Sequence, residues 1–193
     1  PEFYNLRVIE EKNCRLELLE CEIKNERLVL LQLHGGGYIG GMRNAYRSFA
    51  GLYSELGRGM SVLTVDYRVA PYPAALEDAI TGYNWLLQAG WQEHEIVVAG
   101  DSAGGGLALA LCMYLKNQNR KLPAGLICMS PWTDLTQSGA SYDFNYERDP
   151  LFGNTRDSLI YSKDYIQDED PTNPYISPLY GNFSGFPPML IQV

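Results

Sequence analysis

The sequence predicts an α/β fold: a mostly parallel sheet with flanking helices. Three observations carry the prediction. Short apolar runs recur along the 193 residues, segments of helical period lie between them, and the runs are apolar throughout rather than at alternate positions. A short continuous apolar run fits a strand buried on both faces, and strand–helix–strand alternation gives right-handed crossovers between parallel strands.

The first run, RLVLLQL (residues 27–33), ends at His34-Gly35. MSVLTVDY (60–67), EIVVAG (95–100), AGLICMS (124–130) and PMLIQV (188–193) follow. Between the first two, Tyr46, Phe49, Ala50, Tyr53 and Leu56 recur at helical spacing and predict a helix from about Asn44 or Ala45. Leu76, Ala79, Ile80, Tyr83 and Leu87 predict a second. Ala103 to Leu115 is apolar almost all round, which suits a helix buried against the sheet. Residues 131–187 break the rhythm: they are rich in Tyr, Asp, Asn and Pro, with NTRDSLIYSKDYI as one helix starting at Asn154 or Thr155. Residues 137–185 read as a cap or lid excursion within a single core that spans 1–193. The last run has no helix after it, so the core reads as truncated before its final strands. The start, PEFYNLRVIEEK, has no methionine and no signal-peptide pattern; Pro1-Glu2-Phe3 reads as a remnant or a trimmed end.

The bulk composition, 46% hydrophobic and 20% charged, is that of an ordinary globular domain. A net charge of −8 argues against nucleic-acid and anionic-membrane partners, both of which repel an acidic surface. No apolar run is long enough for a membrane span. Cys112 and Cys128 sit in apolar runs and read as buried free thiols; Cys14 and Cys21 could pair, but nothing requires it. No CxxC occurs and both histidines lie far from any cysteine cluster, so no metal or cofactor is implied. A reducing compartment, the cytoplasm, is the expectation. Oligomeric state is left open.

Two motifs carry chemistry. Gly100-Asp101-Ser102-Ala103-Gly104 follows a predicted strand and opens a predicted helix, the setting of a nucleophile elbow centred on Ser102. The helix amides and dipole behind Ser102 favour negative charge there. The bland alternative is a glycine-rich turn with an incidental serine. The second motif, LHGGGYIGG, weighs against that alternative. Consecutive glycines after a strand leave amides free to face an anion, and Gly36, Gly37 and Ala103 together could form an oxyanion hole. Gly35-Gly36-Gly37-Tyr38-Ile39-Gly40 also fits the dinucleotide pattern GxGxxG. That reading needs a helix opening on the glycines and an acidic residue about 20 positions later, whereas Asp66 lies further on; it stays as a minor alternative. Asp66 and Asp134 read as structural carboxylates, and Asp101 as a locally bonded flank of Ser102. Tyr38 is either a pocket wall or a packed aromatic.

A serine nucleophile needs a base. His94 precedes the strand that delivers Ser102 at its other end, and five strand residues separate the ends by roughly 16 Å, against a hydrogen-bond reach of about 3 Å. His34 lies at the correct end but heads the glycine loop, where bracing that loop is its better role. The order in this architecture is Ser, then Asp or Glu, then His, and no histidine follows Ser102.

HGGGY (34–38), VDYRVAPYPAALEDA (65–79), VVAGDSAGGGLALAL (97–111), SPWTDLT (130–136) and NPYISPLYG (173–181), followed by FPPMLIQV, resemble in order the hormone-sensitive-lipase-like branch of the α/β-hydrolases. The resemblance implies the α/β-hydrolase fold with a partial cap. It implies a carboxylic-ester hydrolase, a lipase-like serine esterase of lipid metabolism, acting on a small-molecule ester of short to medium acyl chain. Ser102 would be the nucleophile; Gly36, Gly37 and Ala103 would supply the oxyanion hole, with His34, Gly35 and Asp101 in support. In that family the catalytic acid and histidine follow the strand matching PMLIQV, so the chain as given is expected to be inactive. The loop between VAP and YPAA looks shortened and N-terminal cap helices largely missing. Relatives of the same fold that have lost the histidine bind ligands as receptors, which makes a non-catalytic binding protein the alternative.

Overall fold

The computed structural model of the chain describes residues 4–23, 28–152 and 160–193. Seven strands in these residues form one sheet in the order β1-β2-β4-β3-β5-β6-β7: β1 Tyr4–Glu10, β2 Arg15–Cys21, β3 Val29–Leu33, β4 Ser61–Asp66, β5 Ile96–Asp101, β6 Gly125–Met129 and β7 Met189–Gln192. From β4 to β7 all neighbours are parallel; β1 and β2 add an antiparallel hairpin at one edge.

The five runs expected as strands are β3 to β7. The hairpin was not foreseen, because charges interrupt it. Leu16 and Leu18 of β2 enter the main core, whereas Glu17 between them faces the other side and is only 2% exposed. Its carboxylate accepts two bonds of 2.7 Å from Arg47 and a further one from Arg15. The Arg47 bonds hold the Glu17 carboxyl below its ordinary range against the cost of burial. A buried charge that meets one counterion on its own strand and another on the helix after β3 is compatible with a strand that composition alone would reject.

Three helices link the central strands: α1 Asn44–Leu56, α2 Ala74–Gln88 and α3 Ala103–Asn117. The alternation in β3 and β4 shows the layers. Leu31, Leu33, Leu63 and Val65 pack with residues of α2 and α3, while Leu30 and Val62 pack with Ala50 of α1 on the opposite face. The α3 helix is buried nearly all round, as expected. The α1 helix uses part of the expected face: Ala50 is buried and Tyr53 packs against its cluster, Ser54 is buried as well, and Phe49 and Leu56 are exposed. The β7 strand is exposed rather than buried on both faces, since it pairs only with β6 among the described residues.

Residues 131–187 contain α4 Ser141–Phe144, α5 Ile160–Ile166 and a 3-10 turn at Pro178–Tyr180. The expected helix start at Asn154 or Thr155 lies outside the described residues. All four thiols are free, and Cys14 and Cys21 stand at opposite ends of β2, roughly 20 Å apart and beyond disulfide reach. Burial raises the Cys112 thiol to about 12 and Cys128 to about 11. Among the described residues, no helix is long and apolar enough to cross a membrane.

Candidate active site

Strand order reverses at β3. The chain leaves β3 for β4 on one side, then crosses back to β5 on the other. Helices α1 and α3 therefore depart to opposite faces, and the loops after β3 and β5 lie side by side at the carboxyl ends of the strands, where such a switch point generally binds ligands. Both sequence motifs lie at this switch point. The register sets Leu33 beside Gly100, which brings the root of the glycine loop against Asp101 and Ser102.

Ser102 has φ 51° and ψ −120°, a conformation open to few non-glycine residues and costing on the order of 1–3 kcal/mol. It is held from both sides. The Ser102 amide donates to Met129 O at 3.0 Å, and its carbonyl accepts from Trp132 N at 2.8 Å and Gly106 N at 3.1 Å. A serine at a helix N-cap normally turns its hydroxyl onto the first-turn amides. Here Ser102 is the N-cap of α3 and makes no such bond, so among the described residues its hydroxyl is uncommitted, on a half-buried residue.

The first turn of α3 rests on the root of the glycine loop. A Cβ on Gly104 would come within 2.1 Å of Leu33 O and 2.5 Å of His34 O. In the loop, the amides of Ile39 and Gly40 both bond to Gly36 O, closing a tight turn. Gly36 has φ 132°, and a Cβ there would meet Gly40 O at 2.6 Å. Gly35 N donates to Tyr46 Oη at 2.8 Å and to Asp101 Oδ1 at 3.0 Å, and Tyr46 Oη donates to Asp101 Oδ2 at 3.1 Å. What remains is informative: among the described residues, the amides of Gly36, Gly37 and Ala103 have no protein acceptor. The GxGxxG alternative requires a helix opening on the glycines, and α1 begins only at Asn44.

The other sequence-derived residues fall as follows. Asp101 bonds across the fold to Gly35 and Tyr46, not locally as expected, because β3 and β5 are neighbours. Asp101 and burial together push the Tyr46 hydroxyl up to about 12, burial being the larger cause. His34 is fully buried. Its Nδ1 bonds Gly35 O at 2.8 Å, its ring stacks on Tyr67 at 3.9 Å, and its Nε2 has no partner among the described residues. Burial lowers its pKa, and because Gly35 O can only accept, Nδ1 donates in that bond. His94 is exposed in a 3-10 turn, Glu93–Glu95, at the far end of β5. Tyr38 is 3% exposed and packed, with its hydroxyl donating to Ala103 O at 3.0 Å. Asp134 accepts bonds from Thr136 and Ser138, which outweigh the effect of burial and keep its carboxyl low, as befits a structural carboxylate. Tyr46, Tyr67 and Tyr165 were missed. Tyr46 lay on a helix face already assigned to packing, and no local pattern marks a phenol whose partner is 55 residues away. No group of three His, Cys, Asp or Glu able to hold a metal occurs among the described residues.

Known proteins are similar to this chain along most of its length. A family model described as the alpha/beta hydrolase fold matches residues 30–193. An acetyl-hydrolase of Streptomyces hygroscopicus is 40% identical over 167 residues, 85% of this chain and 55% of that protein. An esterase of Acinetobacter venetianus is 36% identical over 195 residues, 97% of this chain and 62% of that protein. Among solved structures, an esterase from the bacterial hormone-sensitive lipase family superposes with a TM-score of 0.88 at 34% identity, over 100% of this chain and 65% of that one. The chain thus spans somewhat more than half the length of these curated relatives. With the strand order, the elbow at Ser102 and these likenesses together, the chain belongs to the α/β-hydrolase family, within its hormone-sensitive-lipase-like branch.

Proposed function

We propose that the protein to which these residues belong is a carboxylic-ester hydrolase with Ser102 as its nucleophile. The observation that carries this reading is that, among the described residues, an uncommitted serine hydroxyl and three amides without a protein acceptor stand at the carboxyl ends of the neighbouring strands β3 and β5. Ser102 Oγ attacks the ester carbonyl carbon, and the carbonyl oxygen takes the negative charge. The amides of Gly36, Gly37 and Ala103 donate to that oxygen, a contribution of about 3–4 kcal/mol for each donor where one has been removed. The C–O bond to the alcohol then breaks, the alcohol takes a proton, and water releases the acid from the acyl-serine. Asp101 and Tyr46 fix Gly35 and so aim the loop; His34 closes the loop from inside. The base that takes the Ser102 proton and returns it to the alcohol is neither histidine of these residues, since His34 is buried against Tyr67 and His94 is at the far end of β5. The name of the acetyl-hydrolase relative, acetyl being a two-carbon acyl group, supports a short acyl chain in the substrate.

Turnover of p-nitrophenyl butyrate by the full-length protein tests the reading. Wild type should hydrolyse it, and Ser102→Ala should lose at least about 10³-fold in kcat, the scale on which serine removal acts. Equal rates in the two proteins would overturn it. An ester, p-nitrophenyl butyrate, that binds wild type but is never turned over would favour the receptor-like alternative.

A further inference from the structure

The excursion that follows β6 reaches back to the glycine loop through one side chain. Tyr165 of α5 is 2% exposed, and its ring stacks face to face on Tyr38 with centroids 3.8 Å apart and planes within 4°. Tyr165 is itself anchored: its carbonyl accepts from Tyr72 N at 2.8 Å, and the Tyr72 ring meets its edge at 6.2 Å. Tyr38 sits between the two sources of oxyanion donors. It follows Gly37 in the chain, and its hydroxyl donates to the carbonyl of Ala103. Tyr38 also has φ 61°, a left-handed conformation that a bulky residue adopts only where surrounding contacts over-determine it. The other aromatic neighbours, Trp132 and Tyr67, lie at 6.3 and 6.5 Å and are tilted, so Tyr165 provides the flat contact.

We infer that Tyr165 is a positioning residue: its ring, carried on the excursion, holds Tyr38 and thereby aligns the Gly37 and Ala103 amides for the transition state. This rests on the proposed esterase reading. The Tyr165 hydroxyl lies near that of Tyr38 without making a well-formed hydrogen bond among the described residues, so the Phe variant separates the ring face from the hydroxyl.

The test compares Tyr165→Leu, Tyr165→Met and Tyr165→Phe in the full-length protein, with p-nitrophenyl butyrate as substrate and a trifluoromethyl ketone as transition-state analogue. Leu and Met fill the volume without a flat face, and the one that retains the wild-type far-UV spectrum and melting behaviour is used. Its kcat should fall at least about tenfold with KM shifted less than about threefold, since a displaced donor acts on the transition state and not on the ground state. Affinity for the ketone should fall by a matching factor, and Tyr165→Phe should restore both. A kcat within twofold of wild type, a loss confined to KM, or a Phe variant as poor as Leu would overturn the inference while leaving Ser102 untouched. Wild-type turnover by Ser102→Ala would instead remove the underlying reading, and this inference with it.

Discussion

Substituting Gly104 by alanine probes the contact on which the site is built. The added methyl would lie 2.1 Å from Leu33 O, 2.5 Å from His34 O and 2.7 Å from His34 C. All three are backbone atoms of the sheet and the loop root, so no flexible side chain can move aside. Ordinary carbon–oxygen contact requires about 1 Å more, and overpacking of this kind costs about 1–3 kcal/mol, here at the upper end. For a protein of this size that corresponds to a melting temperature lower by roughly 6–12 °C. The effect on turnover should exceed the effect on stability. Relief of the clash separates the Ala103 amide from the glycine loop by up to about 1 Å, a displacement that can reduce rate about 10²-fold. Gly51→Ala in α1 is the matched control: nothing lies within 4 Å of its new methyl, and replacing a helical glycine should stabilise by about 0.5–1 kcal/mol. Thermal denaturation by circular dichroism and ester turnover on both variants give the two readouts. Gly104→Ala with an unchanged melting temperature and a rate within twofold of wild type would refute the close approach of α3 to the loop.

Two further perturbations follow from the same geometry. Asp101→Ala removes two charge-assisted bonds but leaves Gly35 bonded to Tyr46, so a loss of about 1.5–3 kcal/mol in chemical denaturation is expected, with a fall in kcat; unchanged values would show that the carboxylate does not hold the loop. His34 has a folded-state pKa below its unfolded value of about 6.5, so the unfolded chain binds the proton more readily. Its contribution is complete above about pH 6.5 and is lost as pH falls from there toward the depressed folded value, and His34→Gln should flatten that part of the stability profile.

The legible part of this fold was its interior. The strands β3 to β6 are short and apolar because they are covered on both faces, and that pattern survives in a single sequence. The elbow was legible too, because Gly-x-Ser-x-Gly between a strand and a helix specifies a local turn. The hairpin was hidden because Glu17 is buried by Arg47, a partner 30 residues away. The packed face of α1 was legible only in part: Ala50 and Tyr53 meet the core as their spacing suggests, but buried Ser54 carries no apolar signal and Phe49 and Leu56 are exposed. At the site, chain-local chemistry was visible and cross-strand chemistry was not. Nothing beside Asp101 in sequence reveals that its carboxylate bonds Gly35, and nothing around Tyr38 reveals Tyr165.

The most direct measurement is the crystal structure of the full-length protein after reaction with a small alkyl phosphonate, whose tetrahedral phosphorus stands in for the carbonyl carbon under attack. The account predicts a covalent bond to Ser102 Oγ and a phosphonyl oxygen about 2.7–3.1 Å from at least two of the amides of Gly36, Gly37 and Ala103. An adduct on another residue, or an adduct on Ser102 whose oxygen faces away from all three amides, would contradict it.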